Sequence, residues 1–246
     1  MTLKSKLRKG FIKLTGYWIF RHKNLPIGCS LSSDLTLKLN LQIRTIFDVG
    51  ANIGQSTKHF LFDYPEATIY AFEPFESAFG KLEDTYSANR VKCFKIALGD
   101  KNEIQEIVTF EDHLSVLNSL SKNAANTNGT HKEKIEVVTG DSFANQHNIA
   151  DIDLLKIDTE GYEIEVLNGF SKRLNQGNIK AILCEVGFSR LNQRNTYIND
   201  LMTHMDSLDY HLYGMYDVEN QQIKDSHNFG NLLFIHQSIA MTTDGI

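Results

Sequence analysis

Short apolar segments alternate with amphipathic ones along most of the chain. From Leu41 onward, apolar runs that end at a glycine, proline or acidic residue are followed by segments with helical spacing of apolar residues. Strands that alternate with helices form a mostly parallel sheet with right-handed crossovers. The pattern therefore predicts one Rossmann-like α/β domain over residues 41–240. The predicted strands are Ile43–Val49, Ala67–Phe72, Val91–Leu98, Asp151–Ile157, Ile179–Val186, Tyr210–Tyr216 and Leu232–His236, and the predicted helices are Ser56–Tyr64, Phe75–Ala88, one that ends at Phe170, and Tyr197–Leu208.

One interval, from about residue 100 to residue 141, breaks this alternation. Two short apolar segments, at residues 104–110 and 135–138, flank the polar stretch Ser121–His131, which is rich in asparagine and glycine. Long loops inside compact domains are often lids or binding elements. We predict an inserted hairpin whose loop takes part in substrate use.

Residues 1–40 form a separate extension with helical periodicity at its start. Two interpretations stay open: the helix packs on the domain and shows its lysines to water, or it lies on an anionic membrane. The residues around Pro26 and Gly28 are interpreted as a linker. The apolar face of the predicted helix consists of Leu3, Leu7, Phe11, Leu14 and Trp18.

The charge is unevenly distributed. Residues 1–33 contain seven basic residues and no acidic residue, so the remaining residues sum to −12 within a chain of net charge −5. An acidic body argues against nucleic-acid binding, which needs a basic surface. No apolar run is long enough to span a bilayer, and the three cysteines are widely spaced. We predict a cytoplasmic protein, peripheral to the inner face of the membrane in the second interpretation of the helix.

The segment Phe47–Gly54 places a glycine-rich turn directly after the first predicted strand. Its two glycines, Gly50 and Gly54, accept backbone angles that other residues disfavour, and the next helix offers free N–H groups. A dinucleotide fold needs G-x-G-x-x-G around a pyrophosphate, but Asp48 and Ile53 stand where glycines would be required. An aspartate repels a pyrophosphate and suits S-adenosylmethionine (SAM), which carries a sulfonium and no phosphate. The alternative is a tight turn without a ligand.

The second predicted strand ends at Glu73, which Pro74 follows. A carboxylate at this place can accept both ribose hydroxyls of a nucleoside. Nicotinamide enzymes use the same device, so Glu73 favours SAM only together with the turn that contains Asp48.

Acidic residues also follow the later strands. Asp158 and Glu160 come directly after one apolar strand, and Glu185 ends the next. Ligands bind at the carboxyl ends of strands in open α/β sheets, so these residues are candidate catalytic bases, with Asp158 first. The alternative is that Asp158 and its neighbours cap a helix, but capping leaves Lys156 unexplained. Because several acids converge, assistance by a divalent metal stays open, but their spacing does not demand a metal, and we assign no metal ligand.

These motifs resemble the FkbM family of SAM-dependent methyltransferases. The resemblance implies a doubly wound sheet of seven strands with the last strand antiparallel, and O-methylation of a hydroxyl on a sugar, glycan or related natural product. The matching segments are Phe47–Gln55, Tyr70–Pro74, Ala97–Asp100, Leu154–Gly169 and Asn231–Phe234.

The resemblance also implies residue roles. In these roles, the methionine part of SAM is held by Asp48, Gly50, Asn52 and Gly54, together with the neighbouring Ala51 and Gln55. The ribose is held by Glu73 with Pro74. Ala97 and Leu98 lie near the adenine, and Asp158 faces the methyl group.

The sequence therefore predicts a SAM-dependent O-methyltransferase whose partner is a small-molecule or glycan hydroxyl acceptor. Two alternatives stay open: a nicotinamide-dependent oxidoreductase, and a non-catalytic SAM-binding or membrane-associated protein. The pattern leaves the acceptor and the oligomeric state undefined.

Overall fold

A computed structural model describes residues 3–17, 20–21, 24–86, 90–109, 120, 131–192, 194–219 and 228–239. The helices are α1 (Leu3–Thr15), α2 (Leu31–Ser33, continued by a π-helical turn over Asp34–Lys38), α3 (Gln55–Asp63), α4 (Glu76–Tyr86), α5 (Gly140–Gln146), α6 (Glu163–Gly169), α7 (Ser171–Asn175) and α8 (Ile198–Asp206). The strands are β1 (Thr45–Val49), β2 (Thr68–Phe72), β3 (Val91–Phe94), β4 (Ala97–Gly99), β5 (Glu103–Thr109), β6 (His131–Thr139), β7 (Ile152–Ile157), β8 (Ile179–Gly187), β9 (Tyr210–Glu219) and β10 (Phe229–His236).

The main sheet has seven strands in the order β3-β2-β1-β7-β8-β10-β9. The strands from β3 to β8 pair in parallel, and β10 is antiparallel to both of its neighbours. This confirms the predicted α/β class, including the antiparallel last strand. The chain crosses from β3 to β7 between the two halves of the sheet, so the carboxyl ends of β1 and β7 border a switch point where ligands bind in such folds.

The core forms two apolar layers, one on each face of the sheet. Alternate residues of a strand point to opposite faces, so Phe47 joins one layer while Ile46 joins the other. The central strand β7 is buried along its whole length. Burial on both faces explains why its sequence is mostly apolar, and it makes the two buried charged side chains of the strand, Asp153 and Lys156, conspicuous.

One predicted strand was wrong. The segment Val91–Leu98 is divided: β3 stays in the main sheet, while β4 leaves it and pairs with β6 in a small three-stranded sheet. The chain turns at Lys95, whose ammonium pairs with Glu76 and Glu133 between the two sheets.

The predicted insertion is present as the antiparallel pair β5 and β6. The loop Ser121–His131, to which the prediction of substrate use applies, lies outside the described residues except for the start of β6.

The helix predicted to end at Phe170 is α6, which ends one residue earlier, and a second short helix, α7, follows it. The first ends at Gly169, where a Cβ would overlap the carbonyl oxygen of Gly99. Because the end of α6 passes so close to β4, residue 169 must be glycine. The chain bends after Gly169 and then continues as α7.

The helix α1 is confirmed, but its apolar face is not buried. Leu7, Phe11 and Leu14 are exposed, so the interpretation in which this face packs on the domain is wrong for these residues. Trp18 lies outside the described residues. Among the helices that the structure describes, none has the length and apolar character needed to cross a membrane.

Candidate active site

A cavity of about 390 Å³ opens at the carboxyl ends of the central strands. This volume lies within the range of small-molecule sites. The loop after β1, the end of β2, the start of β4 and the loop after β7 form its walls. Its lining residues include Gly50, Ala51, Asn52, Gln55, Glu73, Pro74, Phe75, Ala97, Leu98, Lys156, Asp158, Glu160, Tyr162, Glu185 and Arg194.

The loop after β1 is held in a conformation that requires glycine at its first position. Gly50 has φ of +74°, and a Cβ there would overlap the carbonyl oxygen of Asp158. The N–H groups of Gly50 and Ala51 both donate to the carbonyl oxygen of Phe72, at 3.0 and 2.9 Å. Asn52 also has a positive φ, +49°. The loop is thus fixed against the ends of β2 and β7 and presents its edge to the cavity.

Glu73 is buried and its carboxylate is held by the backbone. One oxygen accepts the N–H of Asn52 at 2.9 Å, and the other accepts the N–H of Phe75 at 3.0 Å. Burial raises the pKa of Glu73 to about 7, against the effect of these two hydrogen bonds. A carboxylate has about four acceptor positions, so each oxygen can also accept a ribose hydroxyl.

Lys156 links the loop after β1 to Asp158. It is the register partner of Asp48 in the paired strands β1 and β7, and its Nζ lies 3.3 Å from Oδ1 of Asp48 and 3.3 Å from Oδ2 of Asp158. The same ammonium donates to the carbonyl oxygen of Gly50 at 3.2 Å. Burial lowers the pKa of Lys156, but the two carboxylates outweigh burial and raise it above its ordinary value. Lys156 is therefore a fixed positive charge in the wall of the cavity.

Asp48 does not line the cavity. It is fully buried behind the loop, where its Oδ2 accepts the hydroxyl of Thr57 at 2.6 Å and its Oδ1 faces Lys156. Gly54 also lies outside the lining residues, and a Cβ there would overlap the ring of Tyr86. The proposed contact of these two residues with the methionine part of SAM thus stays a prediction, and their observed contacts support the loop from behind.

Glu163 organises the loop after β7. Its buried carboxylate accepts the N–H groups of Thr159, at 2.9 Å, and Gly161, at 3.1 Å, and it also accepts the hydroxyl of Thr196. Burial raises the pKa of this carboxyl despite these donors. The hydroxyl of Thr159 lies 3.0 Å from Glu163, and α6 begins without a side-chain cap. The alternative in which Asp158 or Thr159 caps this helix is therefore wrong, although Glu163 does lie in its first turn, as that alternative expected.

Three predicted acids converge in the wall of the cavity. Asp158, Glu160 and Glu185 each offer a carboxylate oxygen, and these oxygens lie within 4.8 Å of one another. Glu160 pairs with Arg194, and Glu185 accepts a hydrogen bond from Asn195. Such a group of carboxyl oxygens suits a cation, whether a sulfonium or a divalent metal ion. The assignment of no metal ligand stays a prediction.

Burial and mutual repulsion raise the pKa values of two of these acids. Burial is the larger cause for Glu160, whose pKa is about 7 because Arg194 partly offsets burial while Asp158 adds to it. Burial and then the charges of Asp158 and Glu160 raise the pKa of Glu185 to about 9. Glu185 therefore holds a proton at neutral pH, while the side chain of Asp158 is 32% exposed and paired with Lys156.

The structure brings most of the predicted residues to one cavity, and it adds residues that the sequence did not single out. Arg194 comes from the irregular segment after β8, where no motif indicates it. Tyr162 lies within a motif, and its hydroxyl accepts from Gln105 of β5 at 3.4 Å. Glu185 lies inside β8 and not at its end.

The donor set fits SAM. Four acids and two bases line the cavity: Glu73, Asp158, Glu160 and Glu185 against Lys156 and Arg194. Asp158 offers a carboxylate to a sulfonium, and the two cations are already paired with acids, Lys156 with Asp48 and Asp158 and Arg194 with Glu160, which weakens their attraction for a pyrophosphate. A doubly wound sheet, a glycine turn after β1 and a carboxylate after β2 define the class of Rossmann-like cofactor-binding domains.

The chain belongs to the FkbM methyltransferase domain family, whose model matches residues 48–212. This confirms the resemblance, and with it the SAM cofactor of the family. The chain is 29% identical over 143 residues to Methyltransferase 1 of Beauveria bassiana, covering 50% of this chain and 57% of that protein. It is 25% identical over 148 residues to the hexuronic acid methyltransferase AglP of Haloferax volcanii, covering 58% of this chain and 56% of that protein. The chain thus spans just over half the length of these curated relatives.

A solved structure, the precorrin-6y C5,15-methyltransferase of Geobacter metallireducens, also superposes on the chain. It has a TM-score of 0.44 at 11% sequence identity, and the match covers 83% of this chain and 87% of that one.

Proposed function

We propose that this protein transfers the methyl group of SAM to a hydroxyl oxygen of a sugar, glycan or related natural product. The observation that carries the proposal is one cavity that is lined by both Glu73 and Asp158, in a member of a methyltransferase family. The relative AglP is a hexuronic acid methyltransferase, which supports a sugar as the acceptor class.

The residues at the ends of β1 and β2 bind SAM and orient it. Glu73 accepts the ribose hydroxyls, and the loop from Gly50 to Asn52 presents backbone to the methionine part. Ala97 and Leu98 supply apolar surface to the adenine. When bound, SAM supplies a methyl group that its sulfonium already activates. Alignment of reacting groups can contribute about 7–11 kcal/mol in favourable cases, so positioning is the main task of these residues.

Asp158 is the proposed general base. A neutral hydroxyl is a poor nucleophile, and a positioned base contributes roughly 10²–10⁴-fold. Its carboxylate is partly exposed to the cavity, and Lys156 holds one of its oxygens. Glu185 is the weaker candidate, because it holds a proton up to a pH of about 9 and so acts better as a hydrogen-bond donor at neutral pH.

The proposal is tested by incubating the full chain with methyl-labelled SAM and a panel of hexuronic acids, neutral hexoses and hexosamines. We expect labelled methyl ethers, identified by mass spectrometry and by NMR of the methoxy group. A panel member labelled on nitrogen or carbon instead of oxygen would contradict O-methylation. Cofactor binding without turnover on any hydroxyl acceptor would favour the non-catalytic alternative.

A further inference from the structure

The helix α1 presents a narrow apolar stripe to solvent. Leu7, Phe11 and Leu14 are 65%, 41% and 86% exposed. At about 100° per residue, these three side chains fall on one side of the helix. No described part of the chain covers them, and an uncovered apolar stripe of this kind indicates an interaction surface.

Basic residues flank the stripe on both sides. In projection along the helix axis, Lys6 and Lys13 lie on one flank, Arg8 lies on the other, and Lys9 lies on the face opposite the stripe. The first 33 residues contain no acidic residue that could neutralise them. A polar face made of cations beside a stripe of leucine and phenylalanine is the composition of helices that lie in membrane interfaces.

Aromatic residues continue the surface beyond the end of α1. Tyr17 is exposed, and the guanidinium of Arg8 lies 5.8 Å from the ring centre of Phe20. Tyrosine is enriched at the boundary between water and lipid. The segment is joined to the domain at a defined place, because the N–H of Gly28 donates to Asp34 at 2.9 Å, and Asp34 in turn accepts the hydroxyl of Tyr216 at 2.6 Å.

We propose that α1 docks in the plane of an anionic membrane surface. The apolar stripe enters the boundary between head groups and acyl chains, and the flanking cations meet lipid phosphates and carboxylates. The helix has 13 residues, about 20 Å at 1.5 Å per residue, so it lies along a bilayer and does not cross it. This inference is independent of methyl transfer, because it uses no residue of the cavity.

The test is flotation of the full chain with vesicles of pure phosphatidylcholine and with vesicles that also contain phosphatidylserine. We expect binding to the second kind alone, weakened by salt. Each lysine near an anionic surface contributes about 1 kcal/mol, or about fivefold in affinity, so K6E/K9E/K13E should lower binding by at least about 100-fold. F11Q/L14Q should lower it as well, because it removes apolar surface and leaves the charge unchanged.

A matched control is K81E/K134E/K172E, which changes the net charge equally at exposed lysines of the domain and should leave binding intact. The proposal is overturned if the unaltered chain does not float with anionic vesicles, or if the control loses as much binding as K6E/K9E/K13E. It is also overturned if F11Q/L14Q binds unchanged. Light scattering that shows a dimer abolished by F11Q/L14Q would assign the stripe to a second copy of the chain instead.

Discussion

At the scale of single residues, the site is arranged around an ammonium group in a buried strand. Lys156 contacts Asp48, Asp158 and the carbonyl oxygen of Gly50. It therefore connects the strand that begins the cofactor loop to the carboxylate proposed as the base. Burying a charged side chain in an apolar strand costs free energy unless the charge is paired. The presence of Lys156 in β7 therefore indicates that its pairing with Asp48 and Asp158 serves the site.

Replacement of Asp158 by Asn should leave SAM binding close to normal and lower turnover by about 100-fold or more, because the amide cannot accept the proton. Calorimetry measures the first effect and a methylation assay the second. The exposed Asp151 offers a control, since Asp151→Asn should change neither. Full turnover in Asp158→Asn would end the role of Asp158 as base.

Replacement of Lys156 by Met should destabilise the protein by about 3–5 kcal/mol, because Asp48 is left buried without its partner. Denaturant unfolding measures this loss, and Lys172→Met at an exposed position serves as control. Turnover should fall further than SAM affinity, because Asp158 loses its alignment while Glu73 keeps its contacts. Lys156→Arg should restore part of the stability. Equal stability of Lys156→Met and the unaltered protein would show that the pairing contributes nothing.

At the scale of elements, local sequence predicted most of the strands and helices, because their apolar periodicity reflects burial on a doubly wound sheet. It did not predict the division of Val91–Leu98 into β3 and β4. Both pieces are apolar and extended, and the sheet that each joins is decided by its distant partners in β2 and β6. Burial of the apolar face of α1 against the domain was one of the two interpretations of this helix, and local sequence could not choose between them because it does not define the surface that covers a helix.

The loop after β1 provides a test at this scale. Gly50→Ala places a Cβ against a backbone carbonyl oxygen and requires a positive φ, which costs a residue with a side chain about 1–2 kcal/mol before the overlap is relieved. We expect loss of both stability and SAM affinity, measured by unfolding and calorimetry. Gly80 lies inside α4 with open space around it, so Gly80→Ala should stabilise by about 0.5–1 kcal/mol. Similar behaviour of the two variants would contradict the conformation described for the loop.

At the scale of the whole molecule, the site joins residues that are far apart in the sequence. Motifs identified Gly50, Glu73 and Asp158, because each follows a strand directly. The sequence did not predict Arg194 as a site residue, because its position beside Glu160 depends on the path of the chain after β8. The sequence also could not predict the high pKa of Glu185, because this pKa arises from burial and from acids that other elements contribute.

This pKa makes stability depend on pH in a defined direction. The pKa of Glu185 rises from its usual 4.5 to about 9 in the folded protein, so between these values the folded state keeps a proton that the unfolded state has released. The free energy of unfolding therefore falls as pH rises through this window. Glu185→Gln mimics the protonated acid, so it should melt at a higher temperature than the unaltered protein at pH 8, and the difference should vanish near pH 4.5. A constant difference across this range would contradict the assigned direction.

The central claim is that the cavity between the β1 loop and Glu73 binds SAM, and calorimetric titration with SAM and with its demethylated product S-adenosylhomocysteine tests it most directly. We expect binding of one molecule per chain, no binding of NADH, and affinity lower by about tenfold or more in Glu73→Gln, because hydrogen bonds to a charged acceptor are replaced by weaker ones. The exposed Glu83 provides the control, and Glu83→Gln should bind normally. The claim is contradicted if neither adenosyl compound binds, if NADH binds in their place, or if Glu73→Gln binds them as well as the unaltered protein.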